Sequence, residues 1–399
     1  MARKRFFVGV LALVLALIAV VPALAQDELI FGVVLVGPRN DRGWSQAHYE
    51  GAEYAAEAVG AELLVFESLN PADSPETTLA DVVAEFVDAG ATVVITTSDD
   101  FKAETHEVAA QYPELVFIHA SGDGALTGEA PANVGNVMGK MEWGKLIDGC
   151  AAALTTQTGQ IGYLGPLIND ETRRLAASTY LGARYCYETY RELDPAELEF
   201  TVTWIGFWFN IPGVTLDPTE EANTFFDSGV DVLISGIDTT EAIVVGGQRA
   251  ANGEAVYAIP YDFEGACEEA PTACLGTPYF NWGPTYTEIL TSVQDGTWEQ
   301  SWDWLDPYWA DLNNKDETPI GFVFGEGLSE EAAANLEDFI ATLGEFAQDP
   351  ANAGYIALWE GPLNFQDGTP LAAEGERVDE IDVWYLPQLL EGMQGASTN

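Results

Sequence analysis

The sequence predicts an α/β protein built from two doubly wound parallel-sheet lobes. Short apolar runs of the kind found in buried parallel strands alternate with helical patterns along the chain. The alternation starts at residues 29–36, runs to residues 132–137, and begins a second time at residues 160–164. Alternation at this spacing is typical of parallel sheets wrapped by helices, so two successive series predict two lobes.

Each series can be assigned in chain order. In the first, strands are predicted at residues 29–36, 62–67, 91–97, 115–120 and 132–137. Helices are predicted at residues 45–59, 75–88, 101–111 and 139–154, with Ser74 capping the helix that starts at Pro75. In the second series, strands are predicted at residues 160–164, 199–205, 230–235 and 255–260. Helices are predicted there at residues 171–192, 219–228 and 239–252.

The amino terminus predicts export. A basic cluster at residues 3–5 is followed by an apolar run at residues 6–21 and by Pro-Ala-Leu-Ala at residues 22–25. This order is that of a secretory signal peptide, residues 1–25, with cleavage after Ala25. The alternative is an uncleaved anchor, because residues 6–25 are long enough to span a bilayer. Both interpretations place the protein outside the cytoplasmic membrane, in a periplasm or on the outer face.

The charge balance restricts the partners. The 399 residues include 15 Lys and Arg against 64 Asp and Glu, a net charge of −49. Such a surface repels nucleic acid, anionic lipid and phosphorylated ligands, whereas a neutral or cationic small ligand meets no such barrier. The acidity is also explained by solubility in a salty or hot habitat. With 47% hydrophobic and 11% aromatic residues, the chain can build large cores and is not disordered.

Four cysteines predict two disulfides. An even number of cysteines in an exported chain favours disulfide bonds. Cys267 and Cys274 enclose a short turn-forming loop and are expected to pair, which leaves Cys150 to pair with Cys186 between two helices. A zinc site is the rival interpretation, but no histidine is close to these cysteines in the sequence and their spacing fits no zinc pattern. No metal and no cofactor are expected.

Aromatic and acidic residues recur where the predicted strands end. Asp41 and Trp44 follow the first strand, Asp99 follows the third, and Trp208 and Asp262 follow strands of the second series. Ligands of such sheets bind at the carboxyl ends of the strands. Flat indole rings suit stacking on a planar ligand, and carboxylates accept hydrogen bonds from ring N–H, amino or hydroxyl groups. Helix capping by the aspartates and core packing by the aromatics are the alternatives.

Several motifs resemble one family. Residues 40–51, NDRGWSQAHYEG, are similar to the first-strand motif of the basic membrane protein (BMP) family. These are substrate-binding proteins of ABC importers with a type I periplasmic-binding fold. Further similar segments occur at residues 118–122, 204–210, 258–262, 281–286, 295–298, 359–362 and 384–386, so the resemblance covers essentially the whole chain after the signal. The insertion at residues 211–216, the loop between Cys267 and Cys274 and the linker at residues 306–319 depart from the family pattern.

The resemblance implies two lobes joined by a hinge. We expect one lobe at residues 27–137 and 262–310, and the other at residues 138–261 and 311–399. It also implies a monomeric receptor that binds a purine nucleoside or nucleobase and delivers it to an ABC transporter permease. The ligand-binding residues expected from the motifs are Asp41, Trp44, His48, Asp99, Trp208, Asp262, Asn281 and Trp282. Trp44 and Trp208 are the expected stacking pair, and the three aspartates the polar contacts.

Other functions remain open on sequence grounds. A sugar-binding receptor on the same fold would use a similar set of residues. An exported nucleosidase or glycosidase could use a carboxylate pair such as Asp99 and Asp100, but neighbouring residues on a loop rarely converge on one bond. A sensor ectodomain would share the fold and the pocket. The sequence contains no nucleophile elbow, no phosphate-binding Gly-Lys loop and no paired-histidine metal motif, so we expect a binding protein and no enzyme.

Overall fold

A computed structural model describes residues 29–398. The predicted signal peptide, residues 1–25, lies outside the described residues. Between residues 29 and 398, no helix is both long enough and apolar enough to cross a membrane.

Strands and helices alternate through the first two thirds of the described chain. Strands β1 to β15 occupy, in order, Ile30–Val34, Glu62–Phe66, Val93–Thr96, Val116–Ala120, Val134–Gly139, Gln160–Gly165, Glu199–Trp204, Val232–Ser235, Tyr257–Ile259, Gly276–Phe280, Trp302–Leu305, Ile320–Phe324, Leu363–Asn364, Pro370–Ala372 and Met393–Gln394. Helices α1 to α11 occupy Trp44–Val59, Leu79–Asp88, Lys102–Ala109, Gly124–Thr127, Glu142–Thr155, Asp170–Thr189, Pro218–Asp227, Glu241–Ala251, Trp282–Gln294, Glu330–Gln348 and Glu380–Trp384.

Two separate parallel sheets form the cores of the molecule. The first has six strands in the order β11-β5-β4-β3-β1-β2, and the second has five in the order β15-β7-β6-β8-β9. All pairings within both sheets are parallel, as in the register of Phe31 opposite Leu63 and Val93. The sequence prediction of two doubly wound α/β lobes is confirmed. The strands predicted at residues 29–36 and 160–164 belong to different sheets.

The chain passes between the two sheets more than once. It leaves β5 of the first sheet and enters α5, which packs against α6 beside the second sheet. After β9 it returns: α9 packs on α1, and β11 joins the edge of the first sheet beside β5. Strands β10 and β12 then pair antiparallel, and α10 packs on α5. The lobe boundaries expected from the sequence, residues 27–137 with 262–310 and residues 138–261 with 311–399, stay a prediction.

Helix α2 begins later than its sequence predicts. It starts at Leu79, and its cap is Thr78 rather than Ser74. The Thr78 hydroxyl accepts a hydrogen bond from the backbone N–H of Asp81 at 3.2 Å, and the Asp81 carboxylate accepts one from the Thr78 N–H at 3.0 Å. This reciprocal capping box satisfies two otherwise unpaired donors.

Helices α5 and α6 are held unusually close. A Cβ atom at Gly149 would lie 1.9 Å from the carbonyl oxygen of Thr179, and one at Gly182 would lie 2.0 Å from that of Leu146. Only glycine permits this backbone approach. The predicted disulfide between Cys150 and Cys186 joins the same two helices, with Cα atoms 5.2 Å apart.

The second predicted disulfide is also present. Cys267 is bonded to Cys274, with Cα atoms 5.5 Å apart, and closes a loop of two short 3₁₀ turns. The loop packs on α8 beside the second sheet. Both pairings inferred from the sequence are therefore found in the structure.

Candidate ligand-binding site

A cavity lies where the carboxyl ends of the two sheets meet. Residues following strands of the first sheet form one side, and residues of the second sheet and α6 form the other. The lining residues are Trp44, Ser98, Asp99, Ser121, Tyr163, Glu171, Thr172, Leu175, Trp208, Gly236, Asp238 and Tyr261. A concave, largely enclosed space at this place in an α/β fold is the expected position of a small-molecule site.

The loop after β1 fixes the start of α1. The Asp41 carboxylate accepts hydrogen bonds from the backbone N–H groups of Gly43, Ser45 and Gln46, at 2.9, 3.0 and 2.9 Å. Burial raises the pKa of Asp41 to about 6, although these three N–H groups oppose the rise. Asp41 thus satisfies the free donors of the first helical turn and places Trp44 at the cavity.

Trp44 is held rigidly by its surroundings. Its indole N–H donates to the carbonyl of Thr97. Its ring meets those of His48, Phe280 and Trp282 edge-on, at centroid distances of 4.4, 5.2 and 5.6 Å. An aromatic wall that is already fixed in this way loses little conformational entropy when a ligand stacks on it.

His48 and Trp282 belong to the packing behind Trp44. Their rings stack at 4.1 Å between centroids, and His48 Nδ1 lies 2.6 Å from the hydroxyl of Tyr286. Burial lowers the pKa of His48 well below its ordinary value, so the imidazole is neutral. The stack joins α1 to α9, and its contact with the cavity is made through Trp44.

Two polar groups at the cavity wall are left for a ligand. Within the described chain, the indole N–H of Trp208 and the hydroxyl of Ser121 are buried and have no hydrogen-bond partner. Ser121 also has a positive φ of 74°, an uncommon conformation for a serine. Buried polar groups nearly always have a hydrogen-bond partner in folded proteins, so two such groups without a partner at one cavity indicate a binding surface.

Carboxyl groups give the cavity its electrostatic character. Asp99, Glu171 and Asp238 line it, and Asp262 is fully buried directly after Tyr261. Burial raises the pKa of Glu171 to about 7, with Asp99 adding to the rise and Arg174 opposing it. Burial and neighbouring carboxyls likewise raise the pKa values of Asp238 and Asp262 well above their ordinary range. Such a cavity suits a ligand rich in N–H or O–H donors and disfavours an anion.

The structure brings together part of the predicted set. Trp44 and Asp99 line the cavity from the first side and Trp208 lines it from the second, while Asp262 stands next to the wall residue Tyr261. Among the residues described, neither carboxylate oxygen of Asp262 has a hydrogen-bond partner.

Asn281 is engaged elsewhere. Its side-chain amide donates to the carbonyls of Lys315 and Thr318, at 2.9 and 2.7 Å, and so fastens the segment that leads into β12. The predicted residues that do not line the cavity are Asn281, Trp282, His48, Asp41 and Asp262. Of these, Asp41, His48 and Trp282 support Trp44, which does line it. No group of histidine, cysteine or acidic side chains in residues 29–398 is arranged to hold a metal ion.

The contribution of α6 to the cavity was not predicted from the sequence. Glu171, Thr172 and Leu175 reach the cavity from its first two turns, and Tyr163 reaches it from within β6. Ser98, Ser121, Gly236, Asp238 and Tyr261 do follow strands, so the pattern that indicated Trp44 could have indicated them. Gly236 is needed for space, because a Cβ there would lie 2.4 Å from the hydroxyl of Tyr163.

Two parallel-sheet lobes with a lined cavity between them define a ligand-binding protein. Residues 29–306 match the family model described as Bmp, ABC transporter substrate-binding protein PnrA-like, and the chain belongs to this family. It is a family of solute-binding proteins, not of enzymes, and its members act outside the cytoplasm.

Two curated relatives align over most of the chain. A purine-binding protein of Brucella abortus (strain 2308) is 27% identical, with 89% of this chain and 90% of the relative covered. A putative ABC transporter glucose-binding protein of Haloferax volcanii is 26% identical, with 91% and 79% covered.

Solved structures share the fold. An ABC transporter solute-binding protein from Conexibacter woesei DSM 14684 superposes with a TM-score of 0.57 at 21% identity, covering 79% of this chain and 96% of that one. One from Aeropyrum pernix K1 gives a TM-score of 0.61 at 16% identity, covering 79% and 86%. At these identities the likeness shows the fold alone.

Proposed function

We propose that this protein captures a purine nucleoside or nucleobase in the cavity between its lobes and delivers it to the permease of an ABC importer. The observation that carries the proposal is the pair of tryptophans, Trp44 and Trp208, which reach one cavity from opposite lobes. The relative named as purine-binding supports the same ligand class. The protein acts as a monomer, in a periplasm or on the outer face of the membrane.

The lining matches the functional groups of a nucleoside. The indole rings supply flat surfaces for the base, and the carboxyl oxygens of Asp99 and Asp238 accept hydrogen bonds from amino, ring N–H or ribose hydroxyl groups. The free donor of Trp208 and the hydroxyl of Ser121 suit the ring nitrogens. Asp262 adds a further acceptor where its wall segment meets the ligand.

The experiment is to identify the ligand that the protein carries. Mass spectrometry of small molecules released by denaturing the purified protein should detect a purine. Calorimetry with adenosine, guanosine, adenine and glucose then measures affinity and specificity. Tight binding of adenosine or guanosine without release of free base is the expected result. Conversion of the nucleoside to base and ribose would instead identify an exported nucleosidase.

A sugar receptor is the second candidate. The relative named as glucose-binding favours it, and rings flanked by carboxylates also suit a hexose. Binding of glucose in the absence of any response to nucleosides or bases would establish this alternative and contradict the purine proposal.

Export can be tested separately. Amino-terminal sequencing of protein recovered from the cell surface or periplasm should begin at Gln26 if residues 1–25 are removed. Recovery of a chain that starts at Met1 in the membrane fraction would show that the segment is kept as an anchor.

A further inference from the structure

A fully buried lysine lies directly behind the wall of the ligand cavity. Lys145 and Asp148 of α5 are both 0% exposed and form an ion pair, with 3.1 Å between Nζ and Oδ2. Burying an ion pair often stabilises a protein less than a well-packed apolar pair of the same volume would. The chain has 15 basic residues against 64 acidic ones, so one of its few cations is placed where it is costly.

The ammonium group contacts the backs of two wall segments. Nζ donates to the carbonyl of Ser235 at 2.8 Å, and Ser235 immediately precedes the lining residue Gly236. The same atom lies 3.7 Å from the ring centroid of Tyr261 and 5.5 Å from that of Tyr163, and both rings line the cavity. A cation held against an aromatic face fixes the position of the ring. Lys145 itself does not line the cavity.

The same cation balances the buried carboxyl next to Tyr261. Burial raises the pKa of Asp262 well above its ordinary value, and Asp41 and Glu171 raise it further, whereas Lys145 and Tyr261 lower it. The neighbouring Asp238 also has a raised pKa, through burial first and then through Asp262, Asp41, Glu171 and Asp100.

Lys145 is in turn influenced by its neighbours. Burial lowers the pKa of Lys145, and the carboxyls of Asp148 and Asp262 raise it. The Asp148 carboxyl has a pKa raised by burial to about 6, which Lys145 opposes. The charges of α5 and of the segment after β9 are therefore coupled across the wall of the cavity.

We propose that Lys145 is a positioning residue of the ligand site, which braces the wall at Gly236 and Tyr261 and supplies the positive charge that allows Asp262 to accept a hydrogen bond from the ligand as a carboxylate. This inference rests on the proposed function, because it assumes that a donor-rich ligand occupies the cavity.

The test compares the affinity for adenosine and guanosine across pH in matched variants. Lys145→Met with Asp148→Asn removes both charges, so that neither partner is left buried alone. Arg249→Met with Asp227→Asn is the control, because it removes an ion pair of 2.6 Å between α8 and the end of α7, outside the cavity lining. Lys145→Arg keeps the charge. Thermal unfolding establishes that each variant is folded.

The sign of the expected effect follows from Asp262. If the carboxylate form binds the ligand, affinity is full at alkaline pH and is lost as pH falls through the pKa of Asp262. Without Lys145 this loss begins at higher pH, so binding near neutral pH should weaken by up to about tenfold for each unit by which the pKa of Asp262 rises, and should recover as the pH is raised further. Lys145→Arg should keep the wild-type pH profile.

Two results would overturn the inference. One is a pH profile and affinity equal to those of the Arg249 control. The other is an equal loss of affinity at every pH, which would refute the electrostatic effect of Lys145 on Asp262 and leave only the bracing of the wall.

A measurement without ligand separates this inference from the proposed function. The ¹³C carboxyl resonance of Asp262, assigned with Asp262→Asn, should titrate at higher pH in the Lys145→Met, Asp148→Asn variant than in the wild type. Failure of the wild type to bind either nucleoside would refute the proposed function while this shift still supported the role of Lys145. An unchanged midpoint would refute that role.

Discussion

Trp44 shows how one residue can serve both the core and the site. Its edge contacts with His48 and Trp282 and its bond to the Thr97 carbonyl belong to the packing of α1, while another part of the ring lines the cavity. A substitution therefore changes stability and binding together, and the two effects have to be measured separately.

Trp44→Ala should weaken purine binding roughly 5- to 150-fold, because stacking on an aromatic side chain is worth ~1–3 kcal/mol per base. Trp44→Phe should lose less, since a ring remains. Calorimetry gives the affinities and thermal unfolding the stability. Trp309→Ala is the control, because that ring packs on Trp143 and does not line the cavity. Unchanged purine affinity in Trp44→Ala would mean that the assigned pocket is wrong.

Glu171 makes stability depend on pH. Burial raises its pKa from an ordinary 4.5 to about 7, so the folded protein holds this proton more tightly than the unfolded chain. The corresponding stabilisation is complete below about pH 4.5 and is lost as pH rises through about 7. Glu171→Gln should therefore match the wild type in acid and exceed its free energy of unfolding at alkaline pH, by up to about 3 kcal/mol.

Denaturant unfolding of the unliganded protein at several pH values measures this difference. Glu188→Gln is the matched control, because Glu188 is exposed near the other end of α6. It should not change how the free energy of unfolding depends on pH. If the difference in free energy of unfolding between wild type and Glu171→Gln were the same at every pH, the prediction would be contradicted.

At the scale of elements, the two disulfides constrain loops of different length. Cys150 and Cys186 are 36 residues apart and join α5 to α6, whereas Cys267 and Cys274 are 7 apart. A cross-link stabilises mainly by limiting the unfolded chain, and the loop-entropy model gives about 4 kcal/mol for the longer loop and about 2 kcal/mol for the shorter.

Replacing each pair by alanines separates the contributions. Replacement of Cys150 and Cys186 should lower the free energy of unfolding more than replacement of Cys267 and Cys274, as measured by denaturant unfolding in the absence of reductant. It should also weaken ligand binding, because Glu171 and Thr172 reach the cavity from α6. Equal losses in both variants would show that loop length does not set their effect.

At the scale of the whole molecule, the net charge of −49 acts together with the acidic cavity. AMP should bind at least about 100-fold more weakly than adenosine, since one pair of like charges ~6 Å apart at an effective dielectric of ~20 costs about 3 kcal/mol. Calorimetry with both ligands tests this. 5′-Methylthioadenosine, which has bulk but no charge at the same position, is the control for size. Equal affinities for AMP and adenosine would contradict the assigned pocket.

The order of strands and helices could be predicted well because it depends on local periodicity. Strands such as Val93–Thr96 are buried on both faces, and this burial is visible in the sequence as a run of consecutive apolar residues. Helix ends were less accurate, as at Thr78, because two polar side chains competed for the same role within a few residues.

The sequence by itself determined the fold class, the family, both cysteine pairings and the strand-end positions of Trp44, Asp99 and Trp208, since each depends on local pattern or spacing. Only the tertiary structure decided which side chains share the cavity. Glu171 and Tyr163 enter it because α6 and β6 meet there, and Asn281 turns away because Lys315 and Thr318 offer it carbonyls. Such contacts depend on packing between distant segments of the chain, so local sequence patterns do not predict them.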